Sequence, residues 1–258
     1  MVKGLYTAYT GMINEQHRMD TLTNNLANFD ATGFKKEGAT SQSFKDVMGA
    51  KIKDTSEWNI PKRMGVLNMG VKIGENYTDW SQGAFKNTGN TFDLALSGNG
   101  FFALDYTDKE GNQSIKYTRD GAFTLTKEGT LVTKDGDYVM DVNGNHITMD
   151  PFAEIAIGRD GTVAANGEIV GQIQVADFEN YDYLEKYGEN MYQIDPDQPV
   201  QAGEAQIYSG YLEQSNVEIV QEMVNMIAVS RQYEANQKVV QTMDESLEIA
   251  TGQVGRLQ

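Results

Sequence analysis

Apolar residues recur every seven positions at both ends of the chain. In the N-terminal segment this repeat consists of Leu5, Met12, Met19 and Leu26. In the C-terminal segment it consists of Ile219, Met226, Tyr233, Val240, Leu247 and Val254. A seven-residue apolar repeat is typical of helices that pack against a partner along one seam. The pattern predicts a helix over about residues 2–28 and a longer one over about residues 215–253.

The residues beside the C-terminal repeat indicate that this helix does not pack alone. In its companion row, taken four residues after each repeat position, only the first residue is apolar; the row consists of Met223, Ser230, Gln237, Asp244 and Thr251. The helix would be roughly 58 Å long at 1.5 Å per residue, which is too long for burial in one compact domain. We therefore expect the terminal helices to pack as a coiled-coil-like pair, either parallel or antiparallel. Ser215 and Glu218 have the spacing of a capping box for its start.

Turn-forming pairs recur through the middle of the chain. They include Asp120-Gly121, Asp135-Gly136, Asn143-Gly144, Asp160-Gly161 and Asn166-Gly167. Such pairs favour the tight turns that join adjacent antiparallel strands. We therefore predict an α+β fold, in which an all-β domain of short antiparallel strands is inserted between the terminal helices. The predicted boundaries are 1–28 and 215–258 for the helical domain, 29–70 for an extended linker and 71–214 for the β domain.

The charge of the chain is concentrated in its middle. The 258 residues include 21 basic and 37 acidic side chains, which gives a formal charge of −16. Residues 1–60 are neutral, residues 211–258 carry −4, and the remaining residues carry −12. An acidic domain repels phosphate backbones, so we expect no nucleic-acid partner. The chain has no cysteine, which excludes disulfides, thiolate catalysis and cysteine-based metal sites.

No membrane-embedded segment is expected. No apolar run approaches the roughly 18–20 residues that a membrane-spanning helix requires. The first residues, MVKGLYTAYTGMINEQH, lack the apolar core and the cleavage site of a secretory signal peptide. Export from the cytoplasm would therefore require another route.

One glycine motif resembles a dinucleotide-binding fingerprint. Gly98, Gly100 and Ala103 match G-x-G-x-x-A and follow a strand-like segment. A dinucleotide site requires the motif to open a helix, whose N-terminus holds the pyrophosphate. The following residues, FFALDY, favour a strand instead, so we predict a tight β-turn at this position.

The remaining candidate chemistry is weak. Asp135, Asp137 and Asp141 lie in an acidic run, but the spacing of an EF-hand fails at its required glycine and glutamate. His17 and His146 are the only histidines, and they lie in different predicted domains. No nucleophile motif is present. We therefore expect no catalytic residue, no metal, no cofactor and no enzymatic activity.

Blocks of sequence along the chain resemble the bacterial flagellar basal-body rod and hook proteins. The first block runs from Asn24 to Asn28 and continues as Thr32-Gly33-Phe34-Lys35. Further blocks follow in the order of that family at residues 94–104, 117–125, 129–133 and 210–240. The signature residues are Asn24, Asn25, Leu26, Ala27, Asn28, Gly33, Phe34, Gly98, Gly100, Phe101 and Phe102. The last block and the length are most similar to the rod subfamily that has a distal and a proximal member.

The resemblance implies a structural subunit without enzymatic activity. Such a subunit is exported unfolded and uncleaved by the flagellar type III apparatus, and stacks helically into the rod that crosses the cell envelope. Its terminal helices form the inner tube and its β domain faces outward. The implied partners are copies of itself, other axial rod and hook proteins, the export apparatus and the ring proteins around the rod. The two apolar repeats would then be subunit-packing surfaces, within and between subunits.

Two other classes of protein stay open at this point. One is a secreted oligomeric adhesin or binding module whose helices trimerise. The other is a carbohydrate-active or metal-dependent enzyme, which needs a cleft with convergent carboxylates.

For the asparagine-rich block, we expect Asn28 or a neighbour to end the helix, with Gly33 allowing the chain to turn away. We expect Asn24 and Asn25 to donate hydrogen bonds to a neighbouring subunit.

Overall fold

Helices lie at both ends of the chain and antiparallel β-structure lies between them, which confirms the predicted α+β class. A computed structural model describes residues 2–50, 63–108, 111–188, 190–195 and 198–254. Helix α1 spans Val2–Ala27 and helix α2 spans Ile219–Val254. Residues 51–62 of the predicted linker and residues 255–258 of the predicted helical domain lie outside the described residues, as does the side chain of Val254.

The strands are short, as the turn pairs predict. In the first half they are β1 (Glu37–Ser43), β2 (Val47–Ala50), β3 (Arg63–Leu67), β4 (Val71–Thr78), β5 (Phe85–Asn87), β6 (Leu94–Ser97), β7 (Phe101–Thr107), β8 (Gln113–Thr118), β9 (Phe123–Leu125) and β10 (Leu131–Thr133). In the second half they are β11 (Tyr138–Val139), β12 (Ile155–Ile157), β13 (Thr162–Ala165), β14 (Glu168–Gln172), β15 (Val175–Phe178), β16 (Leu184–Tyr187), β17 (Met191–Ile194), β18 (Val200–Ala202), β19 (Gln206–Ser209) and β20 (Tyr211–Glu213). A 3₁₀ turn spans Tyr181–Tyr183.

The chain divides into two compact units. Unit 1 comprises Met1–Leu26, Glu37–Asp79 and Glu218–Gln258, and unit 2 comprises Ala27–Lys36 and Trp80–Val217. Residues 37–70, which the sequence analysis assigned to a linker, contain strands β1 to β3 and belong to unit 1. There β1 pairs with β4 and β2 pairs with β3, both antiparallel.

Within unit 1 the two helices contact each other in antiparallel orientation. A Cβ atom at Gly4 would lie 2.5 Å from the Met243 methyl carbon, and one at Gly11 would lie 3.0 Å from the Asn236 side chain. Seven residues forward along α1 therefore correspond to seven residues back along α2. The absence of a side chain at both glycines allows α2 side chains to approach the α1 backbone. The sequence left the relative orientation of the two helices open, and the structure shows that it is antiparallel.

The companion row of the α2 repeat differs from the predicted one. The half-buried or buried row lies three residues after each repeat position and consists of Glu222, Val229, Asn236, Met243 and Ala250. Of the predicted row, only Ser230 is half-buried, and the others are exposed. Positions three and four residues away both neighbour a residue on a helix. Because the buried row contains Glu222 and Asn236, polarity in the sequence did not distinguish it from its alternative.

Helix α2 begins later than the capping box predicted. Its first residue is Ile219. The Ser215 hydroxyl instead accepts a hydrogen bond of 3.3 Å from the Val217 N–H. This hydrogen bond forms a local turn before the helix. Serine hydroxyls accept such bonds from nearby backbone N–H groups in turns as well as at helix caps.

Unit 2 is built around a nine-stranded antiparallel sheet. Its main path has the order β16-β17-β8-β7-β11-β10-β9, while β15 pairs with β7 and β18 pairs with β15. A three-stranded sheet, β12-β13-β14, and the pairs β19-β6 and β20-β5 complete the unit. The main core includes Leu94, Phe102, Phe123, Leu131 and Ile207. A second aromatic cluster includes Phe101, Tyr117, Phe178 and Tyr192, with Trp80 packed against it.

Candidate assembly surface and buried polar clusters

The apolar repeat residues lie on partly covered surfaces of unit 1. Those with described side chains are all half-buried: Leu5, Met12, Met19, Leu26, Ile219, Met226, Tyr233, Val240 and Leu247. Partial burial of a complete apolar row means that unit 1 alone removes only part of its surface from water. The remaining apolar area is available for contact with another chain.

A second apolar row, at the start of α2, is exposed. It consists of Val220, Met223, Val224 and Ile227. Val220 is 70% exposed and Val224 is 55% exposed. Spacings of three and four residues place these side chains on one face of the helix. On α1, Tyr6, Tyr9 and Ile13 are exposed as well. Contiguous exposed apolar residues mark interaction surfaces on folded proteins.

Asn25 is a buried polar residue whose amide holds the start of strand β1. Its Oδ1 accepts the Glu37 N–H at 2.9 Å, and its Nδ2 donates to the Glu37 carbonyl at 2.7 Å. The Nδ2 group also lies 3.4 Å from a carboxylate oxygen of Glu222 on α2. Asn25 and Glu222 are both fully buried. The amide thus connects α1, β1 and α2 within unit 1.

The expectation that Asn25 bonds to a neighbouring subunit is therefore wrong. Its side-chain oxygen and nitrogen are both engaged inside its own chain, because β1 returns to the end of α1. Asn24, one position earlier, points to the exposed side of α1. The prediction for the helix end is confirmed: α1 ends at Ala27, and the Asn28 carbonyl accepts the Ala31 N–H at 3.2 Å.

Gly33 occupies a position that requires glycine. Its φ is +68°, in the left-handed region that side chains disfavour. Its N–H donates to the Glu213 carbonyl at 2.9 Å. A Cβ atom here would lie 2.4 Å from the backbone of Arg119. The turn after α1 therefore brings the chain against two later segments of unit 2.

A buried cluster of three charged side chains lies beside the Gly33 turn in unit 2. The Lys35 ammonium lies 2.6 Å from Glu213 Oε1, and the Arg119 guanidinium lies 3.2 Å from Glu213 Oε2. These side chains are at most 5% exposed. The Gly83 N–H also donates to Glu213 Oε1, at 3.0 Å. A buried charge is costly unless it is paired and hydrogen-bonded, and this carboxylate has three donors.

Backbone carbonyls accept further hydrogen bonds from both cations, whereas the buried Arg119 Nε–H has no hydrogen-bond partner among the described residues. Lys35 Nζ donates to the Ser81 carbonyl at 2.9 Å, and Arg119 Nη2 donates to the Gly98 carbonyl at 2.7 Å. The guanidinium carbon lies 5.3 Å from the centre of the Phe101 ring. We refer to Lys35, Arg119 and Glu213 as the ion cluster.

The blocks of sequence resemblance contain all three members of the ion cluster, but the sequence did not predict that these residues meet. The cluster members lie 84 and 94 residues apart along the chain. No periodicity or spacing relates charges at such separations. The only available signal was that Lys35, Arg119 and Glu213 lie in three different blocks of the family resemblance.

The other signature residues have structural positions in unit 2. Gly98 and Gly100 both have positive φ, at +107° and +139°. Phe101 belongs to the aromatic cluster, and Phe102 packs edge-on against Phe123 with ring centres 5.1 Å apart. Strand β7 follows the glycines directly. This confirms the predicted turn, since a dinucleotide site would need a helix there.

The acidic run forms hairpin turns. Asp141 accepts hydrogen bonds of 2.7 Å from the Gln172 N–H and from the Asn143 amide. Burial by itself raises the pKa of Asp141, but these and neighbouring backbone hydrogen bonds outweigh it and hold the pKa below its ordinary value. Burial raises the pKa of nearby Asp137. Across the described ranges, no three His, Cys, Asp or Glu side chains are grouped to hold a metal ion.

The two histidines lie in separate units, as predicted. His146 Nε2 lies 2.9 Å from an Asp105 carboxylate oxygen, and its ring stacks on Tyr138 with centres 4.4 Å apart. His17 is half-buried on α1. Neither helix, over its described residues, is long and apolar enough to cross a membrane.

Three protein-family models match this chain in consecutive regions. The family described as flagella basal body rod protein matches residues 5–35. The flagellar hook protein FlgE/F/G D1 domain matches residues 95–165. The flagellar basal body rod FlgEFG protein C-terminal family matches residues 208–252.

Curated proteins are similar to this chain over nearly its whole length. The flagellar basal-body rod protein FlgG of Bacillus subtilis is 36% identical over 272 residues, covering 96% of this chain and 97% of the relative. The chain belongs to the flagellar basal-body rod protein family. FlgF of Caulobacter vibrioides is 34% identical to this rod protein and covers 100% of it, with 98% of the relative covered. FlgG of Buchnera aphidicola subsp. Schizaphis graminum is 34% identical over 96% of it and 98% of the relative.

Membership of the family confirms the resemblance found in the sequence blocks. The three members of the ion cluster of this rod protein all lie within the regions that the family models match. Each of the three matches supplies one member: Lys35 from the first, Arg119 from the second and Glu213 from the third.

Proposed function

We infer that this rod-family protein is a structural subunit of the bacterial flagellar basal-body rod. In this role it assembles helically into the drive shaft that transmits torque from the motor to the hook. The observation that carries the proposal, beside family membership, is the uncovered apolar surface of unit 1. The exposed row that begins at Val220 is available to bury against another subunit. Contacts of that kind that do not close into a ring generate a helical filament.

We further propose that α1 and α2 act as a coiled-coil-like pair in the inner tube of the rod. The half-buried repeat residues, from Leu5 to Leu26 and from Ile219 onward, would pack both within and between subunits. Val254 is part of this proposed set. Partial burial supports the proposal because a seam that is complete within one subunit would be covered by it. The proposed helical domain comprises residues 1–28 and 215–258, and the proposed outward-facing β domain lies within residues 71–214.

The proposed partners follow from this role. They are copies of the protein itself and other axial rod and hook proteins, with which family members assemble. The proposed partners also include the flagellar type III export apparatus and the ring proteins around the rod. The proposed location is the envelope-spanning part of the basal body, reached without cleavage of a signal peptide. The proposal gives the protein no catalytic role and no cofactor, and the family similarities lend no support to an adhesin.

A charge in the exposed row tests the proposal. Val224→Asp changes a side chain that is 55% exposed in the subunit, so the variant is expected to fold. In an assembled rod the same charge would be buried without a partner, which opposes assembly. The expected result in the native bacterium is loss of motility, with no rods in purified basal bodies under the electron microscope.

Gln232→Asp is the matched control, because Gln232 is an exposed polar residue on the same helix. It is expected to leave motility and rod number unchanged. Normal rods built from the Val224→Asp subunit would overturn the proposed contact surface. Circular dichroism of both purified variants establishes that the helices have formed.

A further inference from the structure

A groove in unit 2 follows the edge of strand β8. Its volume is about 880 Å³, which lies in the usual range for binding clefts. Four consecutive β8 residues, 114–117, line one wall, and residues 193–195 line the other. Successive side chains of a strand point to opposite faces. A wall of consecutive residues therefore belongs to the edge of a strand rather than to one face of the sheet.

The groove opens where β8 and β17 separate. Over the described residues of these strands, they are in register at two positions, with Met191 opposite Thr118 and Tyr192 opposite Tyr117. Beyond these positions the Lys116 ammonium donates to the Gln193 side chain at 2.7 Å. The backbone ladder between the strands thus ends at Tyr117, and the edge of β8 continues for four more residues.

The backbone N–H and C=O of Ile115 face this groove. Strands β7 and β8 form a continuous antiparallel ladder, and the Asp108 N–H donates to the Asn112 carbonyl at 2.9 Å at its end. In such a ladder, hydrogen-bonded pairs alternate with pairs that are not hydrogen-bonded. Steps of two from Asn112 direct the backbone groups of Ser114 and Lys116 toward β7. Those of Ile115 consequently point away from β7, toward the groove.

The lining of the groove is apolar at several exposed positions. Ile115 is 50% exposed, Tyr183 is 51% exposed, and Val200 is also exposed. Tyr183 lies at the end of the 3₁₀ turn and Val200 begins β18, so these side chains come from different elements. Exposed apolar side chains around an uncovered strand edge favour contact with another polypeptide.

The charge of the groove is predominantly negative. Asp182, Glu185 and Asp195 line it, and Lys116 is the single cation among the described lining residues. The Lys116 ammonium is engaged over the Tyr187 ring at 3.9 Å. Its charge is therefore directed into the protein, and the carboxylates dominate the open side.

We propose that this groove binds an extended segment of a partner protein, in which Lys or Arg alternates with aliphatic residues. The segment adds to β8 as a further strand, and its backbone pairs with the N–H and C=O of Ile115. Because its side chains alternate between two sides, the aliphatic ones contact Ile115 and Tyr183 while the basic ones face the carboxylates. All the described residues that line this groove belong to unit 2.

A synthetic peptide tests the proposal with the full-length protein. The probe is a fluorescein-labelled nonapeptide in which lysine alternates with valine and isoleucine, and its binding is measured by fluorescence anisotropy. Two control peptides isolate the two features that we invoke. One has N-methylated backbone amides at its central residues, which removes hydrogen-bond donors, and the other has glutamate in place of lysine. Both are expected to bind at least about fivefold more weakly, because each loses hydrogen bonds or charge attraction.

Variants locate the site on the protein. Ile115→Pro removes the N–H that faces the groove, and proline is tolerated at strand edges. It is expected to weaken probe binding at least about fivefold, whereas Ile115→Val retains binding. The charge test compares Asp182→Asn/Asp195→Asn with Glu128→Gln/Glu168→Gln, two exposed carboxylates that do not line the groove. Only the first pair is expected to weaken binding.

Three results would overturn the proposal. The first is the absence of binding of the basic probe at millimolar concentration. The second is equal binding of the N-methylated peptide, which would show that no strand is added. The third is an equal loss of binding in the two charge variants, which would reduce the interaction to non-specific attraction by an acidic protein.

Discussion

Lys35 and Glu213 form a buried ion pair between segments that lie 178 residues apart in the sequence, with 2.6 Å between Nζ and Oε1. Neither side chain is more than 1% exposed. Lys35 follows the turn after α1, and Glu213 ends the last strand before the segment that leads to α2. The pair therefore joins the first and last segments of unit 2.

Removal of the shared carboxylate is expected to destabilise unit 2 strongly. Glu213→Gln leaves Lys35 and Arg119 buried without an anion, which costs about 3–5 kcal/mol of unfolding free energy. Lys35→Met is expected to cost less, because Glu213 then keeps Arg119. Urea unfolding followed by Trp80 fluorescence in a Trp58→Phe background measures both, since the chain has two tryptophans.

Lys134→Met is the control for this comparison, since Lys134 is an exposed lysine of the same unit. Its effect is expected to stay within about 0.5 kcal/mol. If Glu213→Gln unfolded at the same urea concentration as Lys134→Met, the ion cluster would not contribute as described.

The Asn25 amide is expected to contribute far more to stability than an exposed polar side chain of the same helix. Asn25→Ala removes the partner of both Glu37 backbone groups, and each unsatisfied group costs about 1–3 kcal/mol. Gln16→Ala, at an exposed position of the same helix, is expected to change stability by less than about 0.5 kcal/mol. Thermal melting followed by helical circular dichroism compares the two variants. Equal melting temperatures would show that the amide does not hold β1 to α1.

Two glycines with nearly the same φ allow the cost of a steric clash to be distinguished from the cost of a left-handed backbone conformation. Gly33 has φ of +68° and Gly188 has φ of +69°, but a Cβ at Gly33 meets the Arg119 backbone while one at Gly188 meets nothing within 4 Å. Both alanine variants carry the cost of the left-handed conformation, roughly 1 kcal/mol. Gly33→Ala is expected to be clearly more destabilising in urea. Equal losses of stability in the two variants would mean that the close contact between the new Cβ and the Arg119 backbone costs nothing.

A charge in the half-buried seam is expected to disturb unit 1. Val240→Asp places an unpaired carboxylate among apolar side chains, at a cost of about 2–4 kcal/mol. Val239→Asp, on the adjacent exposed position, is expected to cost less. Helical circular dichroism reports the loss, while Trp80 fluorescence in the Trp58→Phe background is expected to show unit 2 still folded. Rods that assemble normally from Val240→Asp would contradict the proposed seam.

Asp141 makes the stability of unit 2 depend on pH in the acid range. Hydrogen bonds to its carboxylate hold its folded-state pKa below the ordinary 3.8. The stabilisation is therefore complete above that ordinary value and is lost as pH falls through the lower folded-state pKa. Asp141→Asn is expected to flatten the decline of stability below pH 3.8. Urea unfolding at a series of acid pH values measures it, and parallel curves for both proteins would exclude this role.

The sequence alone determined the elements whose causes are local. The seven-residue apolar repeat specified helices at both ends, since a helix brings such residues onto one face whatever surrounds it. Asp-Gly and Asn-Gly pairs specified a β-rich middle because their turn preferences are properties of neighbouring residues. The co-ordered blocks specified the family. The strand after Gly98 and Gly100 was foreseen for the same local reason.

Tertiary structure decided which distant groups meet. The antiparallel contact at Gly4 and Gly11, and the burial of Glu222 on the row three residues after the repeat, depend on how two separate helices approach each other. Asn25 looked suited to a neighbouring subunit until strand β1 supplied a backbone partner. The ion cluster depends on segments that the chain fold alone brings together. Buried polar groups select partners in space and not along the chain, because their cost is removed by any donor or acceptor that the fold places within reach.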